Sequence, residues 1–146
     1  MGLISAADQQ RLRDAFGEMT RSVRLVFFTQ TLGCETCAET RQILDELPPL
    51  SDRITIEEVN FVLDADKVKQ YGIDRVPAIA LVANDESGDH DTRIRFAGAP
   101  SGYEFSSLIH AVLLVGGRPS SLTDAQRQRL ATLDRQVVLQ VFTTPT

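Results

Sequence analysis

The sequence is poor in cysteine and in histidine, with two of each in 146 residues. Two cysteines cannot build a framework of structural disulfides, and two histidines leave little from which to assemble a metal site. There is no excess of basic residues either. Fifteen Lys and Arg against twenty Asp and Glu give a net charge of −5, which provides no electrostatic footprint for nucleic acid or for an anionic membrane. No apolar run approaches the roughly 20 residues that a membrane span requires. Met1 to Gln10 contains no basic segment followed by an apolar one, so no secretory signal is visible. The expected partners therefore include no nucleic acid and no membrane, and the expected compartment is the cytoplasm.

What remains is ordinary for a globular domain: 42% apolar residues, 24% charged residues and a length that supports a hydrophobic core. The two cysteines sit three apart in Cys34-Glu35-Thr36-Cys37. One close pair in a chain without a signal points to redox or metal chemistry.

The pattern around that pair is periodic. Ser5 is placed to cap a first helix, with Leu12, Ala15, Phe16 and Met19 at helical spacing. Val23 to Thr29 is β-rich and apolar on both faces, as in a buried central strand. A helix is expected from Glu35 to Leu47, stopped by Pro48-Pro49. Ile54 to Phe61 reads as a second strand, and Asp64 as the cap of a short helix closed by Gly72. Arg75 to Val82 reads as a third strand entered through Pro77. Asn84 to Asp91 reads as a polar hairpin loop and Thr92 to Phe96 as a fourth strand. A helix from Glu104 to Val115 comes next, with Phe105, Leu108, Ile109, Val112 and Leu113 as its apolar stripe. Gly116 to Ser121 is the clearest linker. The order, a helix followed by βαβαββα, predicts an α/β fold with a mixed four-stranded sheet flanked by helices.

The tail resembles the beginning. Val23-Arg24-Leu25-Val26-Phe27-Phe28-Thr29-Gln30-Thr31 aligns with Val138-Leu139-Gln140-Val141-Phe142-Thr143-Thr144-Pro145-Thr146, matching at both valines, one phenylalanine and both threonines. A helix capped by Thr123 precedes the second copy, as one capped by Ser5 precedes the first. The expected organisation is a unit over 1–115, a linker over 116–121, and a helix and strand over 122–146 that open a second, truncated unit. A strand around Val138 to Thr143 without its own unit is an unpaired edge, which invites a homodimer through the C-terminal strand.

A Cys-x-x-Cys at the start of a helix has a physical rationale. The first sulfur lies where backbone N–H groups and the helix dipole favour a thiolate, and the thiolate is the nucleophile. The second lies one turn on and can resolve a mixed disulfide. Cys34 is thus the expected attacking residue and Cys37 the resolving one. Glu35 is a negative neighbour that opposes ionisation of Cys34. Three other readings stand beside this one. A metal would need further ligands, and only His90 and His110 are at hand, neither at the usual spacing. A metal or iron–sulfur cluster shared between two chains would make the protein a binding module. An inert pair would leave a redox-dead adaptor. Pro77 supports redox chemistry independently: a proline after Val76, at a strand start downstream of a Cys pair, is expected to be cis.

Strand, Cys34-Glu35-Thr36-Cys37, helix, strand, helix, Val76-Pro77, hairpin and helix together resemble the thioredoxin and glutaredoxin superfamily. Met1-Gly2-Leu3-Ile4-Ser5 and Ile73-Asp74-Arg75-Val76-Pro77-Ala78 resemble the two-unit protein disulfide oxidoreductases of thermophilic archaea and bacteria. Arg95 to Phe105 and Gly116 to Ser120 resemble both those proteins and the N-terminal domain of the alkyl hydroperoxide reductase flavoprotein. The resemblance implies a thioredoxin-like (glutaredoxin-like) fold with an extra N-terminal helix and a C-terminal helix–strand extension. It implies dithiol–disulfide oxidoreductase activity with Cys34 as nucleophile and Cys37 as resolving cysteine. Val76 and a cis Pro77 would offer backbone to an extended protein disulfide substrate. Electrons would come from a thioredoxin-reductase-like flavoprotein or another dithiol donor, and no bound cofactor is implied. An electron relay dedicated to one peroxidase is the alternative within the same chemistry. The flavoprotein relatives carry their cysteine pair in the second unit, whereas this chain has it in the first. Two departures stand out. Phe28 occupies the position of the buried aspartate of thioredoxins, and Arg75 the position of a glutaredoxin threonine used for glutathione.

Overall fold

A computed structural model describes residues 2–144. Helix α1 (Ala6–Phe16) leads to strand β1 (Ser22–Thr29), helix α2 (Cys37–Asp45), a single 3-10 turn (Pro48–Leu50) and strand β2 (Ile54–Asn60). Helix α3 (Ala65–Gln70), strands β3 (Ala78–Asp85) and β4 (Gly88–Ala97), and helices α4 (Tyr103–Val115) and α5 (Asp124–Ala131) complete the order. The four strands form one sheet in the order β2-β1-β3-β4. β1 pairs parallel with β2 and antiparallel with β3, and β3 pairs antiparallel with β4. This is the mixed sheet expected from the element order. No helix among the described residues is long and apolar enough to cross a membrane.

β1 occupies the centre because its sequence can satisfy both faces. Val23, Leu25 and Phe27 join Phe16, Leu44, Leu47, Leu108 and Val112 in the larger core. Val26 and Phe28, pointing the other way, join Val59, Tyr71, Ala78 and Ala80. Each fully buried Leu, Val or Phe contributes about 1.5–3 kcal/mol by leaving water. The Phe28 and Tyr71 rings meet edge-on at 5.6 Å, so the residue in place of the thioredoxin aspartate is a packing residue of the smaller cluster.

Helix starts obey the expected caps at α1 and α5. Ser5 Oγ accepts from the Asp8 amide at 3.2 Å, and Thr123 and Gln126 form a reciprocal capping box. At α3 the expectation fails in detail. Asp64 stands at the cap position but accepts from the Asn60 amide at 2.9 Å instead. The Asn60 side chain in turn accepts from the amides of Val62 and Leu63, so the loop is closed by asparagine.

Several boundaries shift from those read in the sequence. α2 begins at Cys37, two residues later than expected, and ends at Asp45, because Pro48-Pro49 start a separate 3-10 turn. β3 begins at Ala78, since the Val76–Pro77 segment lacks the proline N–H a ladder needs. The loop expected from Asn84 to Asp91 is strand on both arms, with only Glu86 and Ser87 between them. Its polar residues mark an edge hairpin whose side chains bond one another: Asn84 to Asp89 at 2.5 Å and Ser87 to Asp85 at 2.6 Å.

The expected linker is partly docked. Gly116 O accepts from the amides of Thr20 and Arg21 at 2.8 and 3.0 Å, and Arg118 pairs with Glu18 at 3.1 Å. Gly117 lies at φ +113°, and a Cβ there would stand 2.1 Å from Thr20 Oγ1.

The extension departs most. α5 forms but buries no residue. The strand expected around Val138 to Thr143 does not form. A strand exists only where another strand accepts its hydrogen bonds, and among the described residues no strand pairs with this segment. Val137, Val138, Leu139, Val141 and Phe142 are all exposed, Phe142 at 85%. The last two residues of the repeat, Pro145 and Thr146, lie outside the described residues.

Candidate active site

β1, β2 and β4 all run the same way, so their carboxyl ends share one end of the sheet, where β3 begins. The chain leaves β1 there through 30–36, and the cysteine pair stands at the end of that loop. Cys34 and Cys37 form a disulfide with a Cα–Cα distance of 5.5 Å. Cys37 is the first residue of α2 and is 4% exposed, whereas Cys34, just outside the helix, is half-buried. The accessible sulfur is therefore the one ahead of the helix. Thr40 Oγ1 donates to Thr36 O at 2.8 Å, which ties the first turn of α2 to the residue between the cysteines.

The Val76–Pro77 peptide bond is cis. Ala78 pairs with Phe28 on one side and Ala97 on the other, so Pro77 lies level with Thr29, at the point where the chain turns toward Cys34. Pro77 O accepts from the Gly98 amide at 2.9 Å. The half-buried Val76 packs against the smaller core cluster. Tertiary structure thus brings Cys34, Cys37, Val76 and Pro77 to one end of the sheet.

Arg75 next to them is held by Asp74, with Nε at 2.9 Å and Nη2 at 3.1 Å. The guanidinium holds the Asp74 carboxyl below the usual aspartate range, and the carboxylate raises Arg75. The histidines lie apart from the pair. His90 is in the β3–β4 hairpin, with its ring 2.7 Å from Ser87 Oγ and 3.2 Å from Asp85. His110 is an exposed residue of α4. Among the described residues no group of three or more His, Cys, Asp or Glu is placed to hold a metal ion.

The sequence reading passed over the surroundings of the cysteines. Leu32, Val62 and Leu63, in the loops that leave β1 and β2, and Tyr103 at the start of α4 are strongly exposed large apolar residues. The signal was there: large apolar residues stand in segments that the pattern assigns to loops or to a helix start. Only the sheet topology shows that these loops share an end.

No family model matches the chain. It is 33% identical over 105 residues to the alkyl hydroperoxide reductase AhpF of Escherichia coli (strain K12), covering 72% of this chain and 18% of that protein. It is 37% identical over 82 residues to the AhpF of Xanthomonas campestris pv. phaseoli, covering 56% and 13%. The NTD_N/C domain of AhpF from Enterococcus faecalis (V583) superposes with a TM-score of 0.79 at 29% identity, over 90% of this chain and 62% of that one. A protein disulfide oxidoreductase from Aeropyrum pernix K1 superposes with a TM-score of 0.75 at 24% identity, over 88% and 55%, a likeness of fold. The chain spans less than a fifth of the two curated relatives and about three-fifths of the solved Enterococcus domain.

Fold and motif together define the class: a thioredoxin-like domain with a disulfide between Cys34 and Cys37. Within that class the chain is related to the N-terminal region of the alkyl hydroperoxide reductase AhpF, and it shares its fold with a protein disulfide oxidoreductase.

Proposed function

We propose that the chain exchanges dithiols and disulfides with protein clients, with Cys34 as nucleophile and Cys37 as resolving cysteine. The observation that carries this is the asymmetry of the pair: a half-buried Cys34 joined to a buried Cys37 at the start of α2. In the reduced protein the positive end of α2 favours the Cys34 thiolate. That thiolate attacks one sulfur of a client disulfide. The client S–S bond breaks, a Cys34–client disulfide forms, and the second client sulfur leaves as a thiolate that takes a proton. Cys37, deprotonated, then attacks Cys34 Sγ. The Cys34–Cys37 disulfide forms and the other client thiolate is released, so two electrons have passed from the pair to the client. Val76, beside the cis Pro77, presents its backbone to the client segment next to the attacked sulfur, in the strand-addition mode. With Phe28 in the core of β1, that strand offers no side chain to take the Cys37 proton. The oxidised pair is returned to the dithiol by a dithiol donor or a reductase-type flavoprotein.

The likeness to alkyl hydroperoxide reductases supports a narrower version, in which the chain relays electrons within one peroxide-reducing system. A relay reduces insulin-like disulfides poorly, whereas a general oxidoreductase reduces them well. The exposed apolar side chains after α5 support one further reading, that residues 122–146 open a second unit of the same kind.

The experiment is equilibration against a glutathione or dithiothreitol series. A defined two-electron transition, lost in Cys34→Ser, is expected, and Cys37→Ser should trap a mixed disulfide through Cys34. Absence of any transition in the unmodified protein overturns the reading.

A further inference from the structure

The end of the sheet that holds the disulfide carries two features that the exchange chemistry does not use. The first is apolar. Leu32 is 85% exposed, Leu63 80% and Tyr103 80%, and Val62 stands beside them in sequence at 67%. They lie in, or just after, the three segments that leave β1, β2 and β4 at that end. The first two segments are linked: the Phe61 amide donates to Thr29 O at 2.9 Å, and the Gln30 side chain donates to Leu32 O at 2.8 Å. Large side chains standing in water at the end of the sheet that holds the half-buried Cys34 have no role in the core, and exposed apolar surface of this kind is the mark of a docking site.

The second feature is charge. Glu35 lies between the cysteines, Glu39 in the first turn of α2, and Asp66 in the first turn of α3. All three are exposed, and none of them has an ion pair among the described residues. The cations nearby are engaged: Lys67 with Glu57, Arg41 with Glu58, and Arg75 with Asp74. Lys69, exposed and one helical turn from Asp66 in α3, is the unpaired cation beside them among the described residues. The three carboxylates therefore outnumber the one unpaired cation, and the end that holds the disulfide carries an excess of negative charge among apolar side chains.

We infer that this end of the molecule docks disulfide-bearing protein segments whose cysteine is flanked by apolar and basic side chains. The apolar flank covers Leu32, Val62 and Leu63, and the basic flank faces Glu35, Glu39 and Asp66. This inference rests on the exchange activity proposed above. An acidic client is repelled by the same carboxylates, so charge sets the rate of encounter and selects among clients. Exposed charges act over about a Debye length, ~10 Å at 0.1 M salt, so the selection fades as salt rises.

The test uses the full chain in its reduced form and three probes: hydroxyethyl disulfide, and two synthetic peptide disulfides of equal length and apolar content, one with arginines and one with glutamates beside the cysteine. Hydroxyethyl disulfide reports exchange alone. If it is not reduced, the activity itself is refuted, whatever the peptides do. Given that it is reduced, the arginine peptide is expected to react about tenfold faster than the glutamate peptide at low ionic strength, and within about twofold of it in 0.5 M salt. In the combined variant Glu35→Gln, Glu39→Gln, Asp66→Asn, the ratio of the two peptide rates is expected to fall toward one. Taking a ratio cancels any change that Glu35→Gln makes to the Cys34 thiol. In Leu32→Ser, Leu63→Ser, both peptides are expected to slow relative to hydroxyethyl disulfide. Equal peptide rates at low salt, or a ratio that survives loss of the three carboxylates, overturn the docking inference and leave the exchange activity standing.

Discussion

The same local pattern occurs twice in this chain with opposite outcomes. In β1, Val26 and Phe27 are buried, Phe27 to 1% exposure, in a strand bonded on both sides. In the tail their counterparts Val141 and Phe142 stand in water, and the backbone forms no ladder. β-propensity is a statement about fitting a pleated, half-buried surface. β1 has β2 and β3 to pair with and helices α2 and α4 to pack on. The tail has a good cap at Thr123 and a β-rich segment behind it, but no strand paired with it among the described residues. Nucleated local structure survives there only as the short α5, whose reciprocal cap needs no tertiary partner.

The largest contrast comes from truncating the paired phenylalanines. Phe27→Ala should cost about 3–5 kcal/mol in urea unfolding, from lost burial and the cavity left in the core. Its counterpart Phe142→Ala should stay within about 0.5 kcal/mol. A comparable loss at Phe142 would mean that the tail is packed in solution and would remove the contrast.

Next in size is the boundary between the two regions. Gly117→Ala forces a side chain into the left-handed region and against Thr20. A loss of about 1–3 kcal/mol in thermal or urea unfolding is expected. A neutral result would place Gly117 with the tail, outside the packed body.

The smallest effect concerns the β4 edge, where order depends on charge. Arg95 holds the Asp91 carboxyl below the usual aspartate range, with bonds of 2.8 and 2.7 Å, while its guanidinium lies 5.3 Å from the Tyr71 ring centre. A depressed folded pKa stabilises at pH above the unfolded value of about 3.9, and this stability is lost as pH falls through the folded value. Asp91→Asn should therefore cost no more than about 1 kcal/mol at pH 7, because the pair is partly exposed. The variant and the parent should converge in acid. A difference that stays constant with pH would show that Asp91 acts through hydrogen bonding alone.

Much of the sheet and of the site was legible in the sequence. β1, with apolar residues on both faces, could only be central. The Cys-x-x-Cys spacing was itself the signal, because two cysteines three residues apart can close on each other. Pro77 marked the entry to β3. Polarity was the misleading signal. The run Asn84 to Asp91 reads as loop because strand and loop residues look alike at an edge where both faces meet solvent. That Asn60 closes the loop before α3, and that Asp64 accepts from the Asn60 amide without capping the helix, was equally hidden, since either side chain is a competent acceptor and only the backbone path chooses between them.

By itself, then, the sequence determined the features set by local spacing: the order of elements, the caps at Ser5 and Thr123, and the pairing of Cys34 with Cys37 across three residues. Tertiary structure alone decided which β-rich segment became a strand, that Gly116 and Gly117 dock on Thr20 and Met19, and that Leu32, Leu63 and Tyr103 share an end with the disulfide. The reason is range. Caps and turns close over three or four residues, where the sequence specifies both partners, whereas ladders and shared surfaces join residues tens of positions apart, whose proximity is a property of the whole fold.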